Sequence, residues 1–255
     1  MKKENRENKF NYSFATAKGL RDHNEDAGFV GVNATDQCFG IVCDGIGSQS
    51  DSQIASNMIV DYFKNKFKKR RHIVNPSIWI SRNIVNARKK LAAYCKAKLN
   101  NKKITTTFVC IFIQKDGRAT CFNLGDSRLY RFDITNFKWR QITKDHNLYN
   151  YLVSSNAPQE MFVKYKDSFL ALTKYVDSNT NCPLDYDKFN FKLNRGDLIF
   201  LGSDGVYNYI DMPYIDDYIN KNRDKPFYAT STALIRKALE NHSNDNLTSI
   251  VIEIL

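Results

Sequence analysis

Residues 105–133 read TTTFVCIFIQKDGRATCFNLGDSRLYRFD. The stretch contains three apolar runs, at 105–114, 119–124 and 129–133, separated by the turn sequences KDGR and GDSR. Runs of β-branched and aromatic residues bounded by Asp and Gly are typical of short strands joined by tight turns. The stretch therefore predicts antiparallel strands. A parallel nucleotide-binding sheet would instead alternate strands with helices along the whole chain.

The rest of the chain supplies more strands and four helical stretches. Strand-like runs lie on both sides of the central stretch, at 11–17, 27–32, 38–43, 138–142, 188–193, 197–202 and 247–255. Apolar residues recur at helical spacing at 51–69, 77–99, 212–220 and 226–241. Two blocks of strands with helices between and after them predict an α+β fold, a central antiparallel β-sandwich flanked by helices on both sides.

The length and composition fit a single domain. The chain has 255 residues, 42% of them hydrophobic, which is enough for a sizeable core. Residues 1–10 form a short polar N-terminal lead, and we expect 11–255 to be one domain. Residues 145–185 are mixed and polar with few clear periods, so a mobile flap or loop region is expected there.

The formal net charge of +11 indicates polyanionic or phosphorylated partners but does not bear on the fold. Six of the positive charges lie within residues 64–71, at the end of a predicted helix. This basic run has two interpretations, a solvated helix end and a nucleic-acid or membrane patch. No clustered aromatic platform accompanies it, so no specific nucleic acid is expected as a partner.

The six cysteines form no CxxC pair, and several lie inside apolar runs. They predict reduced core thiols in a cytoplasmic protein. No apolar stretch is long enough for a signal peptide or a membrane span. We therefore expect a soluble chain that does not cross a membrane.

Acidic residues follow or precede several predicted strands. FGIVC is followed by Asp44-Gly45 and LIFLGS by Asp204-Gly205, while Asp126 follows CFNLG and Asp245 precedes the last strand. If these strand ends meet, the carboxylates repel each other unless a cation neutralises them, and oxygen ligands suit magnesium or manganese. The four histidines have no zinc-ligand spacing. The alternative is structural, because Asp-Gly is a common turn pair.

Seven motifs occur in one order: RDHNEDA (21–27), CDGIGS (43–48), TTTF (105–108), LGDSRLY (124–130), ITKDH (142–146), GDLIFLGSDGVYNYI (196–210) and DNLTSIVI (245–252). Together they resemble the protein phosphatase 2C (PPM) family in its bacterial form. The resemblance covers nearly the whole chain. It implies a metal-dependent phosphatase that hydrolyses phosphoserine and phosphothreonine in proteins by direct attack of water, with two or three Mn²⁺ or Mg²⁺ ions.

The resemblance also implies roles for individual residues. Asp44 would bridge two ions, the Gly45 carbonyl would bind the second, and Asp204 and Asp245 would hold the first. Asp126 would serve a third ion. Glu25 and Asp26 would act through metal-bound waters. Arg21 would bind the substrate phosphate. Alternatively, Arg21 pairs with Glu25 or Asp26 and only orders the loop.

Several positions depart from the family pattern. Ser48 replaces the second glycine of the usual DGxGG. Ile46 stands where eukaryotic members of the family have a histidine that is proposed to be the general acid. Residues 172–177 lack the glycine that ends the flap motif. The Ile46 position leaves the proton donor unassigned, and the flap departure leaves substrate choice open. None of these departures removes a ligand.

Arg128 is interpreted as a brace for the Asp126 turn. His146 is interpreted as a structural residue or one near the rim, and the alternative is a histidine that titrates usefully. Phosphorylated proteins are the implied partners, together with a cognate Ser/Thr kinase by family analogy. A second functional hypothesis is an inactive phosphatase-fold module that binds phosphoproteins. The altered DGIGS loop is its support, and the intact set of aspartates argues against it.

Overall fold

The computed structural model describes residues 9–47 and 51–255. Its strands are β1 (Phe10–Ala17), β2 (Asp26–Val32), β3 (Cys38–Ile46), β4 (Thr105–Thr106), β5 (Phe108–Ile113), β6 (Arg118–Leu124), β7 (Arg128–Asp133), β8 (Lys138–Gln141), β9 (Val176–Asp177), β10 (Asp187–Lys192), β11 (Leu198–Gly202) and β12 (Leu247–Ile254). Its α-helices are α1 (Ser52–Lys68), α2 (Pro76–Lys98), α3 (Leu148–Ser154), α4 (Gln159–Lys164), α5 (Asp204–Tyr207), α6 (Met212–Lys221) and α7 (Thr230–Glu240). Short 3-10 turns lie at Lys166–Ser168 and Phe227–Ala229.

The strands form two antiparallel sheets. One has the order β1-β12-β11-β7-β8. The other has the order β10-β6-β5-β3-β4-β9, and β2 pairs with the remaining edge of β3. The antiparallel strands predicted at 105–133 are confirmed, although they divide between the sheets: β5 and β6 pair in one, and β7 joins β11 in the other.

The side-chain alternation of each buried strand creates the layers. Along β5, Val109, Ile111 and Ile113 pack into the core between the sheets, where they meet residues of β11 and β12. The intervening Phe108 and Phe112 face the opposite way and pack against α1 and α2. Successive side chains of a strand point to opposite faces, so one apolar run serves two cores.

The second sheet is covered in the same manner. Ile199 and Leu201 of β11 point into the sandwich, whereas Phe200 packs against α5, α6 and α7. The result is a helix–sheet–sheet–helix arrangement, and the α+β sandwich flanked by helices on both sides is confirmed.

The start of α2 has a capping residue and a proline in its first turn. Pro76 is the first residue of α2, and the Asn75 side chain accepts a hydrogen bond from the N–H of Ile78. None of the helices within the described residues is long and apolar enough to cross a membrane.

Two sequence predictions differ from the structure. The strand expected to end at Cys43 continues to Ile46, so Asp44 lies inside β3 and does not terminate it. Residues 145–185, predicted without regular structure, contain α3 and α4. Both helices are shorter than the ten or so residues that reveal a helical period, and α4 buries no side chain.

Candidate active site

Strand ends bring the predicted acidic residues to one end of the sandwich. Asp26 begins β2 and lies opposite Asp44 in the β2–β3 register. Asp126 lies two residues after the end of β6, and Asp204 is the first residue of α5, two residues after the end of β11. Asp245 precedes β12 by two residues, which completes a group of carboxylates drawn from both sheets.

Asp26 is the most buried member of this group, with 4% of its surface exposed. Its Oδ2 accepts a hydrogen bond of 2.6 Å from the Ser203 hydroxyl, while its buried Oδ1 has no hydrogen-bond partner within the described residues. Burial raises the pKa of Asp26 to about 7, and repulsion by Asp204 and Asp245 adds to the shift. An unpartnered carboxylate oxygen at this depth favours a cation or an ordered water beside it.

Asp44 lies at the centre of the group. Burial raises its pKa well above the ordinary range, and Asp26, Asp204 and Asp126 raise it further by repulsion. The backbone of Asp44 is fixed on both sides, because its N–H donates to Thr107 Oγ1 at 2.8 Å and its carbonyl accepts from the N–H of Thr107 at 2.8 Å. The side chain is therefore held in a rigid strand among other negative charges.

The interpretation of Asp44-Gly45 as a turn pair is wrong, because both residues lie within β3. The glycine stays in β3, and a Cβ at this position would lie 2.5 Å from the carbonyl oxygen of Ser52 and 2.9 Å from that of Glu25. Its N–H donates to the Glu25 carbonyl at 3.1 Å. The glycine is thus required for close packing of three backbone segments beside Asp44.

The Asp126 loop is held from several directions. Gly125 has a φ of 112°, its N–H donates to His146 Nδ1 at 3.0 Å, and its carbonyl accepts from the His146 N–H at 3.0 Å. The Tyr207 hydroxyl donates to the Asp126 carbonyl at 3.0 Å. The structural interpretation of His146 is confirmed, whereas Tyr207 was missed because no local motif links it to a loop 81 residues away.

Arg128 braces the same region, as predicted. Its Nε and Nη2 donate to the two oxygens of Asp145 at 2.9 and 2.7 Å, and its guanidinium lies 4.0 Å from the centre of the Tyr207 ring. Burial raises the pKa of Asp126 to about 6, with repulsion from Asp204 and Asp145 adding to it and Arg128 opposing it. Arg128 is therefore committed to Asp145 and to the ring.

Asn246 is a second residue that the sequence reasoning did not single out. Its side-chain oxygen accepts from the N–H of Glu25 at 2.9 Å, and its amide donates to the carbonyls of Lys18 and His23 at 2.9 and 2.8 Å. One side chain thereby ties the Arg21–Glu25 segment to the start of β12. Its position directly after Asp245 is the only feature of the local sequence that indicates a role at the site.

Arg21 lies at the exposed rim, and its side chain is 55% exposed. Its Nη2 donates to Asp245 Oδ2 at 2.8 Å, and its Nε donates to the carbonyl of Asn244 at 3.1 Å. The alternative pairing with Glu25 or Asp26 is not the one observed. Arg21 instead neutralises a residue of the carboxylate group itself.

The donor set fits hard divalent cations. The converging side chains offer only carboxylate oxygens, and their mutual repulsion would be relieved by positive charge. Within residues 9–47 and 51–255, no three acidic, histidine or cysteine side chains already surround a single point. Mg²⁺ and Mn²⁺ fit such a site when water completes the coordination, as it commonly does for Mg²⁺. Ser48, which departs from the family motif, lies outside the described residues.

Comparison with known proteins places this geometry in a family. Residues 18–251 match the family model described as protein phosphatase 2C. A putative protein phosphatase of Mycoplasma pneumoniae is 31% identical over 92% of each chain. The crystal structure of serine/threonine phosphatase Stp1 of Staphylococcus aureus is 29% identical, with a TM-score of 0.80, covering 96% of this chain and 94% of that chain.

A more distant structure extends the likeness of fold. The catalytic domain of the serine/threonine protein phosphatase PstP, solved in complex with two manganese ions, is 19% identical with a TM-score of 0.77, covering 96% of this chain and 98% of that one. The motifs, the two-sheet fold and the family match agree. This chain belongs to the protein phosphatase 2C family, in its bacterial form.

Proposed function

We propose that this protein phosphatase hydrolyses phosphoserine and phosphothreonine in proteins at the carboxylate group of Asp26, Asp44, Asp126, Asp204 and Asp245. The proposal rests on the convergence of these side chains around Asp44. Burial raises the pKa of Asp44, and the neighbouring carboxylates raise it further. A protein places repelling carboxylates together at a cost to stability, which is typical of functional sites. Similarity to the Staphylococcus aureus serine/threonine phosphatase supports the substrate class.

The proposed cofactors are two Mn²⁺ or Mg²⁺ ions, with a third at Asp126. Asp44 would be shared between two ions, with the Gly45 carbonyl on one of them and Asp204 and Asp245 on the other. When bound, the ions would lower the pKa of a water and offset charge on the phosphoryl group. Glu25 and Asp26 would accept hydrogen bonds from the waters that complete the site, and the free Oδ1 of Asp26 supports that role.

Residues 145–185 are proposed to form a flap over the site. Asp145 and His146, at the start of this segment, already hold Arg128 and the Asp126 loop. Substrates are proposed to be phosphorylated proteins, and the kinase that phosphorylates them is a proposed partner by family analogy.

Release of inorganic phosphate from a phosphothreonine peptide in the presence of Mn²⁺ tests the function. We expect multiple turnovers per enzyme molecule, because water regenerates the site after each hydrolysis. The competing hypothesis, an inactive fold that only binds phosphoproteins, predicts saturable binding of the same peptide without phosphate release. Binding without turnover would therefore contradict the proposal.

Arg21 is proposed to bind the substrate phosphate once its partner Asp245 is neutralised by a cation. Arg21→Lys keeps the charge but loses the planar pair of donors, so we expect a raised KM with a smaller fall in kcat. Arg21→Ala should raise KM by roughly one to two orders of magnitude, the loss expected for a charged hydrogen bond. Steady-state kinetics on the phosphothreonine peptide measure both parameters.

The control for Arg21 is the concentration of metal. If Arg21 serves only to position Asp245 and Asn244, both substitutions weaken metal binding, and excess Mn²⁺ restores the wild-type KM. A KM that stays high at saturating Mn²⁺ assigns Arg21 to the substrate. A KM that returns to the wild-type value makes it a structural residue.

A further inference from the structure

The strand β2 has a free edge that the phosphatase site does not use. Among the described residues β2 pairs only with β3. Just outside the two ends of the strand, the Glu25 carbonyl accepts from the Gly45 N–H and the Asn33 N–H donates to the Gln37 carbonyl, so both of these groups point toward the β3 side. Hydrogen-bonding direction alternates along an antiparallel strand, so Gly28, Val30 and Val32 direct their N–H and C=O groups away from the sheet. These groups form an open row for an added strand.

A cavity of about 730 Å³ lies along this edge. Phe29 and Val30 of β2 line it together with Tyr12 of β1 and Phe67 at the end of α1. Beyond Val32, the Thr35 hydroxyl donates to the carbonyl of Arg71 and bonds the ring of His72, each at 3.0 Å, so the turn after β2 is tied to the segment after α1. The edge therefore borders a groove between β1 and the end of α1.

The two walls of the groove differ in chemistry. The wall on the side of α1 carries four consecutive cations, residues 68–71. No carboxylate of the described part of the chain forms a salt bridge with any of them. Away from the cations the lining is apolar, and Tyr12 of β1 and Val32 of β2 are left 41% and 38% exposed.

The helix dipole explains only part of this charge. α1 ends at Lys68, so Lys69, Arg70 and Arg71 lie beyond its last turn. Lys68 itself lies over the Phe29 ring, 5.9 Å from its centre. Three cations without acidic partners thus face a groove whose backbone edge is open.

We infer that this groove docks an extended protein segment in which acidic and apolar residues alternate. The segment would pair with the free edge of β2, as in other β-strand additions. Alternate side chains would then face the cations on one wall and the apolar residues on the other. A nucleic acid would satisfy the cations but not the row of peptide N–H and C=O groups.

The position of the groove links it to the proposed function, on which this part of the inference rests. Asp26 of the carboxylate group begins β2, and Val32 lies six residues further along the strand, a distance of about 20 Å. A phosphoprotein docked here by one segment would hold its phosphorylated residue near the site at a raised effective concentration. The groove is therefore a substrate-docking surface.

Binding of a fluorescent eight-residue peptide that alternates glutamate and valine tests the inference. Fluorescence anisotropy with the Asp44→Asn protein keeps the measurement independent of turnover. Changing Lys69, Arg70 and Arg71 together to Gln should weaken binding about tenfold. Val30→Pro removes an outward N–H without touching the β3 ladder, and should weaken binding about fivefold.

Matched controls separate docking from general charge. Changing Lys89, Lys96 and Lys98 of α2 to Gln removes the same charge elsewhere and should leave the peptide affinity within about twofold of its original value. A peptide with four glutamates followed by four valines should bind weakly, because it cannot match both walls. Failure of the alternating peptide to bind, or an unchanged affinity in Val30→Pro, would overturn the inference.

Two further measurements complete the test. A DNA oligonucleotide that binds more tightly than the peptide, through the same three cations and unaffected by Val30→Pro, would also overturn it. Hydrolysis of para-nitrophenyl phosphate, measured with Asp44 intact, should be unchanged in the groove variants, because a substrate of this size bound at the carboxylate group does not extend to Val30 or to the cations at 69–71. Peptide binding without any hydrolysis by the wild type would contradict the proposed function and leave the docking surface standing.

Discussion

Asp44→Asn should lower kcat for a phosphothreonine peptide by roughly a thousandfold or more, equivalent to about 4 kcal/mol of activation free energy. The substitution keeps the volume of the side chain and removes the negative charge at the centre of the carboxylate group. A residue proposed to be shared by two cations cannot be replaced by a neutral amide without weakening both sites. Phosphate release at saturating Mn²⁺ provides the measurement.

The same substitution should not destabilise the metal-free protein. The raised pKa of Asp44 means that burial and the neighbouring carboxylates disfavour its ionised form in the folded state, so ionisation of this carboxyl lowers the free energy of unfolding. Asparagine mimics the neutral form, and thermal unfolding in chelator should therefore occur at an equal or higher Tm. The matched control is Asp224→Asn, at an exposed position in the loop after α6, which should change neither activity nor Tm.

A lower Tm together with lost activity would show that Asp44 is needed for folding. Wild-type turnover in a folded Asp44→Asn protein would contradict its assignment to the site. A loss of activity with an equal or higher Tm is expected only if Asp44 is a functional residue held under electrostatic repulsion.

Local sequence patterns predicted the fold because buried strands carry their own signal. The alternation along Phe108–Ile113 serves two cores at once, and its hydrophobic period and flanking turns are visible without any long-range information. The helix at Pro76–Lys98 likewise shows its period over 23 residues. Both elements were predicted within a few residues of their observed ends.

Features that depend on distant contacts were not predictable. Asp44-Gly45 resembles a turn, yet the strand continues because Gly45 and Ile46 pair with β4, and the glycine is needed where the carbonyls of Ser52 and Glu25 come close. The Arg21–Asp245 pair joins residues 224 positions apart, and a single sequence contains no local pattern that links them. The sequence therefore predicted which carboxylates the fold brings near Asp44, whereas the partner that neutralises Asp245 is visible only in the folded chain.

Removal of divalent cations should abolish hydrolysis, and Mn²⁺ or Mg²⁺ should restore it while Zn²⁺ alone should not. The reason lies in the donor set: carboxylate and carbonyl oxygens suit hard cations, and no sulfur or imidazole ligand is among the converging residues. Titration of the chelated enzyme with each metal, followed by phosphate release, measures the requirement. Full activity in chelator would contradict the mechanism.

Stability gives an independent measurement of the same cations. The pKa values of Asp26 and Asp126, about 7 and about 6, lie above the ordinary value of about 3.9 in the unfolded chain. The folded state therefore holds these protons more tightly, and stability falls as the pH rises from about 4 through 7. In chelator, the Tm should increase when the pH is lowered from about 8 to about 6.

Metal binding should reverse this trend, because cations that bind only the folded state raise its stability and compete with protons for the same oxygens. Mn²⁺ should therefore raise the Tm most at about pH 8, where Asp26 and Asp126 are ionised, and least at about pH 5, where both are largely protonated. A Tm shift that is equal at both pH values would place the cations at other residues, since only a site that contains titrating carboxylates links metal affinity to protonation in this range.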